Sequence, residues 1–264
     1  MGSAEVRFKE LRADFGKTAE DYGRHRAGFP DEFFERLASM GIVRAGMRAL
    51  DLGTGTGTIA RGLALRGCEV TALDRSEPLM EQARELDREA GVVVNYVVAA
   101  AEETGLPAAS FDVVTAGQCW HWFDRPRAAA EARRLLKPGG RLVIGHFDWI
   151  PIPGNMVDAT EKLIEKHNPK WKLGGGVGIY PQWMAGLAQA GFKNLETFSF
   201  DIDAIYTHEA WRGRIRASAG VGASLTPEAV AAFDDELRAM LNDRFAEDPM
   251  RVPHRVFAAI GTAP

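Results

Sequence analysis

Along the first 150 positions, short apolar runs alternate with segments in which apolar residues recur every third or fourth place. The runs at 47–52, 69–74, 92–98, 111–116 and 141–148 predict strands covered on both faces, since they are nearly continuous rather than alternating. Between them, Thr58–Leu65 has helical spacing, as do Leu79, Met80, Ala83 and Leu86 after Ser76, and Ala128, Ala129, Ala132 and Leu135 after Asp124. Ser76 and Asp124 are placed to cap those two helices. Strands that alternate with helices build, through right-handed crossovers, a parallel sheet with helices on both faces. Two later runs, Asn194–Asp203 and His254–Gly261, predict a closing antiparallel pair, so the expected fold class is α/β, a doubly wound, seven-stranded, mostly parallel sheet.

Between the fifth, sixth and seventh strands lie two long inserts, Ile150–Gly191 and Tyr206–Pro253, mostly helical by pattern. Thr226-Pro227-Glu228 is a helix start, and Val230, Phe233, Leu237 and Leu241 mark its apolar face. The expected division is a core over 1–149, a helical cap over 150–193, and final strands over 194–264 carrying a helical insert at 206–253. Inserts on the carboxyl side of such a sheet either close over a ligand or simply thicken the fold. Gly174–Gly178 reads as a hinge, since no strand leads into it and no Lys-Ser/Thr follows, as a phosphate loop requires.

The richest chemistry lies in Ala49-Leu-Asp-Leu-Gly-Thr-Gly-Thr-Gly57. A strand, a glycine turn and a helix start point unpaired N–H groups into a crevice. The dinucleotide fingerprint G-x-G-x-x-G fits poorly: its third glycine falls on Thr58, and it gives no reason for Asp51. The second strand ends in another acid, Asp74, the usual partner of adenosine ribose hydroxyls.

Asp51-x-Gly53-x-Gly55-x-Gly57, together with Asp74, resembles the class I S-adenosylmethionine-dependent methyltransferases. Leu106-Pro107 with Ser110–Thr115, and Leu135–Ile144, resemble the family's fourth strand and its turn into the fifth. The resemblance covers roughly residues 15 to 150 and is nearest the small-molecule branch that includes trans-aconitate-type enzymes. It implies a Rossmann-like methyltransferase fold with helical caps and a cofactor carrying an ammonium and a sulfonium but no phosphate, which suits an acid at Asp51. The cofactor residues it implies are Asp51, Gly53, Thr54, Gly55, Gly57, Asp74, Arg75 and Gln118, with Tyr22 and Arg26 folding over the methionine end. Many relatives place an Asp before the Leu-Pro pair for adenine; here Ala99–Ala101 and Glu102-Glu103 stand there, leaving the backbone near Ala101 and the Glu102 side chain for that contact.

Ala116–Asp124 follows the fourth strand, where open sheets bind ligands. Trp120 and His121 either border the reactive methyl or pack in the core, and Trp122 reads as a core residue. His121 is a general base if the acceptor is a hydroxyl or a protonated amine, because an imidazole titrates near neutrality, and His146 near the end of strand five is the second candidate. Arg212 and Arg216, one helical turn apart, are either receivers of a carboxylate-bearing acceptor or an ordinary solvated face. Trp149, Trp171, Tyr180 and Trp183 suggest a flatter aromatic acceptor, unless they too are core.

A net charge of −4 excludes a chain built to hold a nucleic-acid backbone, and no apolar run reaches the roughly 20 residues of a membrane helix. A charged start and only two cysteines, without metal spacing, predict a cytoplasmic protein with reduced thiols and no metal. The expected function is methyl transfer from S-adenosyl-L-methionine to a small molecule, by an in-line displacement that depends on orientation. The alternative is a module that binds the cofactor as a sensor without catalysis. The oligomeric state is open.

Overall fold

The computed structural model describes residues 28–264. In chain order its elements are α1 (Asp31–Ser39), β1 (Arg48–Leu52), α2 (Thr58–Leu65), β2 (Glu69–Asp74), α3 (Glu77–Ala90), β3 (Val94–Val98), β4 (Phe111–Gly117), α4 (Arg125–Leu135), β5 (Leu136–Trp149), α5 (Met156–His167), α6 (Gln182–Gln189), β6 (Lys193–Tyr206), α7 (His208–Arg216), α8 (Pro227–Arg244) and β7 (Met250–Thr262). The strands form one seven-stranded sheet in the order β3-β2-β1-β4-β5-β7-β6. β3, β2, β1, β4 and β5 pair in parallel. β7 runs against β5: Gly139 and Ile150 donate to the carbonyls of Ala263 and Pro253, so one numbering rises as the other falls. This is the doubly wound, seven-stranded sheet expected from the run lengths.

Burial follows the sequence pattern. All of β1 after Arg48 is buried, and so are Val113–Ala116 in β4 and Leu142–Phe147 in β5, as a sheet covered on both faces demands. α1 packs tightly on α2 because Gly62 has no side chain: a Cβ there would sit 2.1 Å from Phe34 Cζ. Asp124 caps α4 as expected, accepting from the Arg127 N–H. Ser76 does not cap α3; its own N–H donates to Asp74 Oδ1 at 2.9 Å, which turns the chain from β2 into the helix.

The chain divides into two compact units. The larger contains residues 28–147, 180–200 and 256–264, and its core joins Leu50, Leu52 and Val114 to Leu142, Ile144, Trp183 and Phe257. The described part of the other contains 148–179 and 201–255, with α5, α7, α8 and the far ends of β5, β6 and β7. In it α8 starts at Pro227, with Thr226 Oγ1 accepting from the Ala229 N–H, and buries Phe233, Leu237 and Leu241; Val230 is half-buried. The insert between β5 and β6 is helical over α5 and α6 only, because 168–181 carries Pro169, Pro181 and the glycine run.

Candidate active site

Parallel register brings the two acids to the same edge of the larger unit. Asp51 pairs in register with Thr115 of β4, and that hydroxyl donates to Asp51 Oδ1 at 2.7 Å. Asp51 is 2 % exposed, and burial pushes its carboxyl up to about 6 despite the Thr115 hydroxyl and the Ala60 N–H, which favour the charged form. A carboxylate in that position is stabilised by a cation, which suits an ammonium and not a phosphate.

The loop after Asp51 turns three times through positive φ, at Gly53, Gly55 and Gly57. At Gly53 the backbone presses on the core: a Cβ would lie 2.9 Å from Phe123 Cζ and 3.0 Å from Cys119 Sγ. At Gly55 a Cβ would meet no heavy atom of the described residues within 4 Å, so this is where the loop turns its backbone away from the described core. The Gly55 N–H donates to Asp74 Oδ2 at 2.9 Å. Asp74 therefore ties the glycine loop to the first turn of α3, and each of its oxygens keeps lone pairs for a hydroxyl. Gly57 stands as the left-handed N-cap of α2, without a side-chain cap, so the helix start keeps its N–H groups on the crevice side. Thr54 is buried within the loop and Arg75, beside Asp74, is exposed. An acid, open backbone and a second acid at the end of β2 fit the amino-acid and ribose ends of S-adenosylmethionine.

Of the adenine candidates, Ala101 is buried, and Glu102 places Oε1 on the Asp124 N–H at 2.8 Å, helping to start α4. Gln118 sits at φ 61, a rare conformation for a residue with a side chain. Its N–H donates to the Gly145 carbonyl at 2.9 Å and its Nε2 donates to the Phe147 carbonyl, which locks β4 to β5 at their carboxyl ends. Tyr22 and Arg26 lie outside the described residues.

Trp120 is a core residue, 3 % exposed, with Phe123 edge-on at 5.9 Å, whereas Trp122 is half-buried. The short 3-10 turn over Trp120–Trp122 rotates Trp120 inward, so both indoles join the core, Trp122 at its margin. The two histidines meet: His121 Nδ1 lies 3.3 Å from His146 Nε2. His146 is buried, between the rings of Tyr180 at 4.5 Å and Trp183 at 4.9 Å, which are themselves stacked at 4.2 Å. Sequence spacing could not show this meeting, since 25 residues separate the two histidines and only the β4–β5 register joins them. Thr115, Cys119 and Phe147 also escaped the sequence reading; a polar Thr inside the otherwise apolar run of β4 was the one available signal.

In the second unit, Arg212 and Arg216 do not form a receiving pair. Both bind Asp234, Arg216 at 2.9 Å, and both reach Glu209, at 2.8 and 3.0 Å. The α8 packing that was invisible in the sequence brings Asp234 between them, so their charge is already matched.

A methyltransferase-domain family model matches residues 50–144. An uncharacterized methyltransferase of Mycobacterium bovis is 37% identical over 134 residues, 51% of this chain and 52% of that protein. A ubiquinone biosynthesis O-methyltransferase of Xanthomonas oryzae pv. oryzae is 34% identical over 182 residues, 66% of this chain and 72% of that protein. Among solved structures, one from Anaeromyxobacter dehalogenans, provisionally described as a type II methyltransferase, is 27% identical with a TM-score of 0.59, covering 90% of this chain and 97% of that one. The chain spans about half the length of the mycobacterial relative. Fold and glycine-loop geometry define a class I, Rossmann-like methyltransferase domain. The chain belongs to the S-adenosylmethionine-dependent methyltransferase family. Among the described residues no helix is long and apolar enough to cross a membrane, and no cluster of His, Cys, Asp or Glu could hold a metal.

Proposed function

We propose that this protein methylates a hydroxyl group of a small organic molecule, with His121 and His146 acting together on the departing proton. The observation that carries the reading is the 3.3 Å contact between His121 Nδ1 and His146 Nε2 at the carboxyl ends of the central strands. Two imidazoles at that distance share one proton, so one nitrogen of the pair donates and the other accepts. With His121 Nδ1 as donor, its Nε2 becomes the basic nitrogen, held in orientation by a buried partner that Tyr180 and Trp183 clamp.

S-adenosylmethionine supplies an electrophilic methyl on a sulfonium. An acceptor hydroxyl oxygen would use its own lone pair for the new bond to that carbon, the pair of the breaking carbon–sulfur bond would stay with sulfur, and His121 would take the hydroxyl proton. The protein's part is to align the three atoms, which contributes about 7–11 kcal/mol, and to take the proton, worth roughly 10²–10⁴ in rate. Asp51 and Asp74 would hold the ammonium and ribose ends, with Gly53, Thr54, Gly55, Gly57 and Arg75 along the loop, Gln118 beside the methionine part, and Ala101 and Glu102 near the base. The 34% identity to an O-methyltransferase supports oxygen as the receiving atom.

The test is turnover with S-adenosylmethionine and a panel of phenols, enols and hydroxy acids, read by mass spectrometry of the methylated product. His121→Ala and His146→Ala should each lower kcat about 100-fold or more while leaving the affinity for S-adenosylhomocysteine unchanged. A kcat untouched by both substitutions would remove the base from the reading.

A further inference from the structure

Helix α3 buries Leu79, Met80 and Ala83, and the same stripe carries one acid, Asp87, only 4 % exposed. An ionised carboxyl in an apolar stripe persists only with partners that favour its charge. Asp87 has them on two other elements of the larger unit. Tyr96 of β3 donates its hydroxyl to Asp87 Oδ2 at 2.8 Å, and Arg61 of α2 brings Nε to 3.4 Å from Oδ1. Burial pushes the Asp87 carboxyl up, while the Tyr96 hydroxyl and the Arg61 charge work against that rise. Burial and then Asp87 push the Tyr96 phenol up as well, so it keeps its proton and remains the donor.

The Nη end of the Arg61 guanidinium meets the glycine loop. Nη2 donates to the Thr56 carbonyl at 2.8 Å, and Nη1 reaches the carbonyls of Thr56 and Gly57 at 3.1 and 3.4 Å. Gly57 lies against the same group: a Cβ there would stand 2.8 Å from the Tyr96 hydroxyl oxygen and 3.5 Å from Arg61 Nη1. Because a peptide unit is planar and trans, a carbonyl drawn toward Arg61 turns the N–H of the next residue the opposite way. The Gly57 N–H thus meets the Thr54 carbonyl at 2.9 Å and closes the loop, and the Thr58 N–H is turned away from the guanidinium at the start of α2. Replacing a buried ion pair by apolar side chains is commonly neutral for stability, so stability alone gives no reason for an acid at this place. Shape does: β3, α3 and α2 each contribute one side chain to a line of contacts that ends on two loop carbonyls.

We propose that Arg61, Asp87 and Tyr96 are positioning residues for the cofactor, which together hold the last turn of the glycine loop in its binding shape through the Thr56 and Gly57 carbonyls. This rests on the methyltransferase reading above, which gives the loop to S-adenosylmethionine. Arg61 acts on the loop, Asp87 orients Arg61, and Tyr96 orients Asp87. Loss of any member loosens the loop, and an outer member loses its effect once Arg61 is gone.

The experiment titrates S-adenosylhomocysteine into the full chain by calorimetry, well below every melting temperature. Arg61→Met should weaken that binding roughly 10- to 100-fold and Tyr96→Phe about 3- to 10-fold. In the double variant, Tyr96→Phe should add less than about twofold to the loss from Arg61→Met. Amide hydrogen exchange in the cofactor-free protein should quicken over residues 54–61 in both single variants, while the amides of β4 and β5 keep their wild-type rates. Asp112→Ala is the control for general loosening, since it removes the 2.7 Å contact with Lys137 and the bond from the Arg48 N–H at the opposite, amino ends of β1 and β4. It should lower the melting temperature and leave the affinity for S-adenosylhomocysteine unchanged. Wild-type affinity in Arg61→Met, losses that multiply in full in the double variant, or an equal loss in Asp112→Ala overturns the proposal. Should Arg61→Met not fold, Tyr96→Phe, which removes one oxygen, decides it: wild-type affinity and exchange there overturn the proposal too. A wild type that does not bind S-adenosylhomocysteine instead defeats the methyltransferase reading, a separate failure seen in the first titration.

Discussion

Asp74 Oδ2 accepts the Gly55 N–H at 2.9 Å, while Oδ1 of the same carboxylate accepts the N–H of Ser76. One side chain at the end of β2 thus sets the shape of the glycine loop and the start of α3. Asp74→Ala should therefore weaken S-adenosylmethionine binding by more than the loss of a ribose contact alone, about 2–3 kcal/mol, or roughly 30- to 150-fold in Kd. Asp74→Asn should fall between, because its amide nitrogen cannot accept either N–H. Calorimetric titration decides this, and an Asp74→Ala protein with wild-type affinity would mean that the loop keeps its shape unaided.

Gly53 and Gly55 share a backbone conformation but not an environment. Gly53→Ala should cost stability, because its Cβ would need the space now held by Phe123 and Cys119. Gly55→Ala, turned away from the described core, should cost only about 1 kcal/mol of conformational strain yet impair cofactor binding strongly. Paired thermal melts and titrations separate the two; similar effects of both on stability would count against a crevice at Gly55.

The first of these relationships was legible in the chain, because an acid after each of two apolar runs and glycines at fixed spacing are local features. So were the strands and the division into alternating elements. What stayed hidden depends on partners far apart in sequence. Nothing near Arg212 and Arg216 announces that Asp234 will neutralise them, or that Arg214 between them turns toward the Trp149 ring. The burial of Trp120 was not legible either, because the turn that buries it depends on how β4 ends.

Asp51 makes the pH dependence specific. Its carboxyl titrates near 6 when folded, against 3.8 for the free group, chiefly because it is buried. The folded state therefore holds this proton more tightly than the unfolded one. The favourable contribution is full below pH 4 and is lost as pH rises toward 6, about 3 kcal/mol in all. Above that range the ionised carboxylate is a strain on the cofactor-free fold and an asset for an ammonium. Asp51→Asn should raise the melting temperature at pH 7.5 and abolish tight S-adenosylmethionine binding. In the wild type that affinity should fall as pH drops below 6. A variant less stable than the wild type at pH 7.5 would show that the acid is held by contacts stronger than its burial.

Asp234 has the opposite sign. Burial pushes its carboxyl up, but Arg212 and Arg216 together outweigh that and hold it below the usual range. Its contribution is therefore present above the unfolded value near 4 and is lost as pH falls through the lower folded value. Asp234→Ala removes the less exposed of the two acids that bind these guanidiniums, which are 14% and 20% exposed, and leaves the more exposed Glu209 beside them. The expected cost is about 1–3 kcal/mol at pH 7, shrinking toward zero in strong acid, measured by urea unfolding across pH. An Asp234→Ala protein as stable as the wild type at pH 7 would show that Glu209 alone matches the two guanidiniums.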